Sequence, residues 1–78
     1  GVFVSSKPVL NLVGVLSPFC LLKIKKMLME NASGESFQVL LQDFDVIDDL
    51  KNILDCSVDE IVEIQKKKNH YKITIRKG

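Results

Sequence analysis

Apolar residues follow a strand period and a helix period in turn along this 78-residue chain, and the order of these periods constrains the fold most. Residues 8–13 form a short apolar run closed by Gly14, which predicts a strand. Ser17 is then predicted to cap a helix that has Pro18 at its first position. Apolar residues recur every three or four positions in this helix, at Cys20, Leu21, Ile24, Met27 and Leu28.

The second half of the chain repeats this alternation of periods. Phe37, Val39 and Leu41 alternate with Gln38 and Gln42, which predicts a half-buried strand after the break at residues 31–34. A second amphipathic helix is predicted from the apolar spacing over residues 46–54. Residues 58–65 and 71–75 then predict two strands joined by a polar turn at 66–69. The predicted order is strand, helix, strand, helix, strand, strand.

This order predicts an α/β (α+β) two-layer sandwich, with a four-stranded mixed sheet and both helices on one face. Seventy-eight residues leave room for one domain, which we place at residues 8–78. Residues 1–7 are interpreted as a disordered N-terminal segment or as a remnant of how the chain was cut, since the first residue is Gly1. A core of this size favours a surface site over a deep enclosed cavity.

The formal net charge of +1 hides a division of charge along the chain. Residues 43–63 carry eight acids and one lysine, whereas residues 64–78 carry six bases and no acid. Most of the acidic block is explained by the predicted second helix, whose first turn favours carboxylates. The sequence has no apolar run long enough to span a bilayer, and its two cysteines are too few for a disulfide framework. These features predict a soluble cytoplasmic protein with no membrane partner.

Several residues carry a resemblance to a known family. Gly14 follows the first strand, Pro18 opens the first helix, Gly34 and Glu35 precede the second strand, and the chain ends in YKITIRKG. This pattern resembles the TusA, SirA and YedF group of small sulfur-carrier proteins, and its spacing is matched from Leu10 to Gly78. The resemblance implies the same β-α-β-α-β-β fold that the periodicity predicts.

The resemblance also implies a chemistry. Members of the group relay sulfur as a persulfide on a cysteine at the start of the first helix, within the pattern Asp-x-Arg-Gly-x-x-Cys-Pro-x-Pro. On that pattern the positions are Gly14, Ser17, Pro18 and Cys20, so Ser17 stands where the acceptor cysteine is expected and Cys20 where the second proline is. Asn11 and Val13 also depart from the pattern. Protein partners of a sulfur-transfer pathway are implied, with tRNA as an alternative partner.

A serine hydroxyl cannot carry a persulfide, so two hypotheses follow. In the first, the protein is an interaction or regulatory module that has lost the relay chemistry. In the second, it is a divergent relay in which Cys20, predicted at the third helical position, accepts the sulfur. Packing of Cys20 against the core competes with that second hypothesis. Whether the sulfurtransferase activity is retained is therefore left open, as is the oligomeric state.

Cys56, His70 and the basic tail are the remaining candidate features of the sequence. Cys56 is predicted to have a structural role at the end of the second helix, and neither a metal site nor a cofactor is indicated. The only histidine, His70, gives no reason to place a base near Ser17. The basic tail is a candidate surface for tRNA or an acidic protein. It could equally be an ordinary solvated face or protect an edge strand; its members are Lys66, Lys67, Lys68, Lys72, Arg76 and Lys77.

Overall fold

The computed structural model describes residues 9–78, which contain six elements. In chain order they are β1 (Val9–Asn11), α1 (Ser17–Glu30), β2 (Ser36–Leu41), α2 (Phe44–Leu54), β3 (Glu60–Lys66) and β4 (Tyr71–Arg76). The predicted order of elements is therefore confirmed. The segment predicted at residues 1–7 lies outside the described residues, as does Pro8 at the predicted start of the first strand.

The four strands form one mixed sheet in the order β1-β2-β4-β3. β1 pairs with β2 in parallel, while β4 lies antiparallel to both β2 and β3. The strands β1, β2 and β3 consequently run in one direction, and their C-terminal ends lie at the same end of the sheet. We call this the site end; it comprises the loop 12–16 before α1, Asp43 before α2, and the β3–β4 turn at 67–70. Both helices begin there.

A single hydrophobic core lies between the helices and one face of the sheet. β2 and β4 each direct alternate side chains into it, as the period of two predicts. Each helix contributes residues spaced by three or four positions. The predicted two-layer sandwich is thus confirmed, with a core that includes Phe37, Val39, Leu41, Ile73 and Ile75 from the sheet, and Cys20, Ile24, Leu28, Val46, Ile47, Leu50 and Leu54 from the helices.

Two strands begin or end differently from the prediction, because side chains form local turns there. β1 was predicted to continue to Val13, but it ends at Asn11, whose Oδ1 accepts a hydrogen bond from the Val13 N–H at 3.1 Å. β3 was predicted to begin at residue 58. It begins at Glu60 because the Ser57 hydroxyl accepts from the Asp59 N–H at 3.1 Å, which holds residues 57–59 in a loop.

The C-terminal end of α1 is tied to the end of the chain. Lys77 donates from Nζ at 2.8 Å to the Leu28 carbonyl in the last turn of the helix, which otherwise accepts only a long bond of 3.4 Å from the Asn31 N–H. Its backbone N–H also donates to the Glu35 carbonyl at 2.8 Å, and its carbonyl accepts from the Gly34 N–H at 2.7 Å. Gly34 has a φ of +87°, a backbone conformation that glycine adopts without strain. Lys77 therefore connects β4, α1 and the loop between α1 and β2.

We expect Lys77→Met to lower the free energy of unfolding by about 1 kcal/mol, because the Leu28 carbonyl loses a charged donor near the negative end of the helix dipole. Lys68→Met is the matched control, since Lys68 is exposed and its side chain makes no hydrogen bond among the described residues. Urea denaturation followed by circular dichroism measures both variants. Equal stability of the two would contradict a capping role for Lys77.

Candidate functional site

The start of α1 lies at the site end and is shaped by one glycine. Gly14 has a φ of +84°, and the Val15 N–H donates to the Leu12 carbonyl at 3.1 Å, so the chain reverses between β1 and α1. Leu16 then adopts an extended conformation with φ −63° and ψ 141°. Its carbonyl accepts the first helical hydrogen bond, from the Cys20 N–H at 3.1 Å. This turn places the first residues of α1 on the surface.

The prediction that Ser17 caps α1 is wrong, because Leu16 occupies the N-cap position and no side chain caps the helix. Ser17 is the first helical residue and Pro18 the second, so Cys20 is the fourth residue of α1 and not the third. The reason is that the last residue with extended backbone before the helix is Leu16, whereas the preference for serine at an N-cap predicts Ser17 in that place. Ser17 is exposed at the site end.

An open cleft of about 560 Å³ lies between the starts of the two helices. Gly14, Ser17 and Cys20 line it on the α1 side, whereas Pro18 does not line it. The opposite wall is formed by Asp43, Phe44 and Tyr71. Asp43 caps α2 by accepting from the Asp45 N–H at 2.9 Å, and the two aromatic rings stack at a tilt with their centroids 5.4 Å apart. The structure thus brings together three of the four motif positions.

Cys20 lies beneath this cleft, within the core. Only 1% of the residue is exposed, and its Sγ–H lies 3.3 Å from the Val15 carbonyl, which accepts from it. Burial raises the pKa of the Cys20 thiol above its ordinary value of 9.0; the negative charge of Asp43 raises this pKa further, and Lys23 lowers it by less. The thiol is therefore protonated at neutral pH. A protonated thiol without solvent access is a poor nucleophile, which disfavours the hypothesis that Cys20 accepts the sulfur.

The second cysteine differs from its prediction. Cys56 was assigned a structural role, but the structure shows it exposed, one residue beyond the α2 C-cap Asp55. The reason is that the apolar face of α2 ends at Leu54, so the following turn leaves the core. Because α2 begins at the site end, Cys56 lies at the opposite end of the molecule from Ser17. It is an accessible thiol that any sulfur-loading experiment must take into account.

The six basic residues of the tail do not form one patch. Lys66, Lys67 and Lys68 are exposed at or beside the β3–β4 turn, and the groove they line there with Gln42 and Tyr71 adjoins the cleft. Lys72 is half-buried on the sheet face that points away from the helices. Arg76 forms an ion pair with Glu60, and Lys77 binds α1. These two residues lie at the far end of β4, about 17 Å from the turn. Three lysines thus join the site end.

The helix α1 also carries an exposed apolar surface that the sequence analysis did not identify. Three apolar side chains of the helix and that of its N-cap residue have exposed fractions from 53% to 81%. We call these four residues the outer stripe: Leu16, Phe19, Leu22 and Met29. At 3.6 residues per turn, Phe19, Leu22 and Met29 lie on the side of α1 away from its buried face, and Leu16 precedes them at the N-cap. This spacing was the available signal. Three exposed lysines accompany the stripe, at Lys23, Lys25 and Lys26.

Two further properties concern the described part of the chain. Within residues 9–78, no group of three or more histidine, cysteine, aspartate or glutamate side chains is placed to hold a metal ion. No helix in the same range has the length and apolar character needed to cross a membrane.

Comparison with known protein families gives one match. The model of the family described as sulfurtransferase TusA matches residues 9–77, which is nearly the whole chain. No curated protein matches the sequence. The matched range begins at β1, ends one residue before the C-terminus, and contains the cleft and all six elements. The chain therefore belongs to the TusA sulfurtransferase family.

Proposed function

We propose that this protein docks with partners of a sulfur-relay pathway, as an interaction or regulatory module, without carrying a persulfide at the start of α1. One observation carries the proposal: the exposed residue there is Ser17, and the nearest cysteine, Cys20, is buried with a raised pKa. Family membership supports a sulfur-relay context. On the resemblance described above, Ser17 occupies the position of the acceptor cysteine.

The chemistry of sulfur transfer explains why these two residues matter. An acceptor thiolate attacks the outer sulfur of the donor persulfide, a new sulfur-sulfur bond forms, and the donor cysteine leaves as a thiolate. Ser17 supplies an oxygen, which forms no such exchangeable bond. Cys20 supplies sulfur, but its thiol is protonated, and the donor persulfide would have to reach it beneath the surface of the cleft.

The outer stripe supports the docking part of the proposal. Isolated apolar side chains on a surface are ordinary, but Leu16, Phe19 and Leu22 follow one another at a spacing of three and form an exposed apolar row. Met29 lies beyond Lys25 and Lys26 on the same helix. Such a row favours a protein interaction site. Leu16 also lines the cleft, so the stripe continues from the cleft along α1. The lysines beside it make no ion pair among the described residues and favour a partner with acidic residues around an apolar centre.

A second candidate function is binding of tRNA through the β3–β4 turn. Lys66, Lys67 and Lys68 are all exposed and adjoin the cleft, which favours contact with a phosphate backbone. We place either function in the cytoplasm.

The test uses the cysteine desulfurase of the same organism as donor and the Cys56→Ser variant as acceptor, so that Cys20 is the one thiol left. We expect its intact mass to be unchanged after incubation with free cysteine. We also expect Leu22→Asp to weaken desulfurase binding about tenfold, because a charge would be buried in the apolar contact. Val9→Asp is the matched control, an equally drastic change of an exposed apolar side chain on β1.

Two results would overturn the proposal. The first is the addition of one sulfur atom to Cys56→Ser that disappears in the double variant Cys20→Ser/Cys56→Ser, because it would make Cys20 a relay residue. The second is desulfurase binding that Leu22→Asp and Val9→Asp reduce equally, or the absence of any binding, because the outer stripe would then have no role in docking.

A further inference from the structure

The strand β3 is an open edge of the sheet. It pairs with β4 on one side, and no described strand pairs with its other side. Seven residues long, it spans about 23 Å and presents backbone N–H and C=O groups outward along this length. Such an edge is a template on which another strand can form hydrogen bonds. The other edge of the sheet, β1, has only three residues.

A groove of about 440 Å³ runs beside this edge, between β3 and the last turn of α2. Its floor is apolar and includes Leu54, Ile61 and Ile64. The pairing register between β3 and β4 shifts at Val62, whose side chain is exposed on the groove. The edge therefore offers apolar contact area as well as backbone hydrogen-bonding groups.

The charges change sign along the edge. Acidic residues lie at the start of β3 and on the adjacent end of α2, at Asp55, Asp59, Glu60 and Glu63. Lysines lie at the end of β3 and on the following turn, at Lys66, Lys67 and Lys68. Lys51 is the basic residue on the acidic side. When β3 is reversed against a copy of itself, Glu60 lies opposite Lys66 and Asp59 lies opposite Lys67, while Glu63 lies at the centre of the pair.

We infer that β3 pairs antiparallel with β3 of a second copy of this chain, which joins the two sheets across a twofold axis. The lysine turn of each copy then lies beside the acidic groove of the other, so the same contact is made twice. Asp55 and Asp59 have no ion-pair partner among the described residues, and neither do the three lysines. The second copy supplies those partners.

Charged side chains and a bulge also occur on edge strands that remain unpaired, in which case the protein is a monomer. Charge exchange separates the two outcomes. Sedimentation equilibrium at low ionic strength measures the dimer dissociation constant of the wild type and of three variants: Lys66→Glu/Lys67→Glu, Asp55→Lys/Glu60→Lys, and the combination of all four changes. These positions are exposed, so the variants are expected to fold.

We expect the wild type to dimerise, each double variant to dissociate about tenfold more readily, and the fourfold variant to recover the wild-type constant to within about threefold. Lys25→Glu/Lys26→Glu, on α1, is the matched control and should leave the constant unchanged. In the dimer, amide hydrogens of β3 should also exchange more slowly as protein concentration rises, which reports strand pairing directly.

A monomer at every concentration overturns the inference, as does a dimer that the two double variants leave intact. A dimer that Leu22→Asp dissociates instead would assign the contact to the outer stripe and overturn it as well. None of these results bears on sulfur loading, so they are separable from the test of the proposed function.

Discussion

Replacing Ser17 by cysteine is expected to give this protein the ability to accept sulfur. In a Ser17→Cys variant that also carries Cys20→Ser and Cys56→Ser, we expect the cysteine desulfurase to add one sulfur atom to the new thiol. The position is exposed, it lies at the open cleft, and it is the first residue of a 14-residue helix. The positive end of the helix dipole lowers the pKa of a thiol there and stabilises the persulfide anion.

Intact-mass measurement after incubation with cysteine and the desulfurase checks this expectation. The control is Ser33→Cys in the same cysteine-free background, the same change in the exposed loop that follows the C-terminal end of α1. We expect the Ser17→Cys thiol to react with iodoacetamide faster than the control at neutral pH, because more of it is thiolate. If the desulfurase loads both variants equally or neither of them, the start of α1 has no special competence for sulfur.

The fold could be predicted from the sequence because its elements have strong periods. Phe37, Val39 and Leu41 alternate on β2 and are all buried, and the apolar spacing of α2 predicts its buried face. Where local hydrogen bonds decide the outcome, the period gives less information. The ends of β1 and β3 depend on the Asn11 and Ser57 side chains, and such short-range competition is invisible to a pattern of apolar residues.

The candidate site was predictable only in part. The position of the motif at the start of α1 follows from the sequence, whereas the burial of Cys20 depends on how loop 12–16 folds over it. The N-cap illustrates the same limit, since Leu16 adopts the extended conformation although Ser17 has the better capping side chain. A tertiary turn at Gly14 prevails here over the local preference of one residue.

The basic tail shows why charge is difficult to interpret from sequence. Six bases in fifteen residues predict one surface, but the direction of β4 separates them, so Arg76 reaches Glu60 and Lys77 reaches the end of α1. Only the lysines at the turn remain available. Long-range partners of this kind, such as Leu28 for Lys77, are separated by dozens of residues in the sequence and need the fold to be identified.

Two phenylalanines test the difference between the core and the outer stripe. Phe37 is fully buried at the centre of the sheet, so Phe37→Ala is expected to cost about 3–5 kcal/mol through lost burial and the cavity it leaves. A domain of this size has a free energy of unfolding of roughly 4–12 kcal/mol, so this variant is expected to unfold at low urea or without it.

Phe19→Ala, the same change on the outer stripe, should lower the free energy of unfolding by less than about 1 kcal/mol. Phe19→Ala should nevertheless weaken desulfurase binding, because a ring that is exposed in the free protein is buried when a partner covers the stripe. Urea denaturation measures the free energy of unfolding of both variants, and a binding assay measures their affinity for the desulfurase. A large loss of stability in Phe19→Ala would mean that the stripe supports the fold, and this result would contradict a docking role.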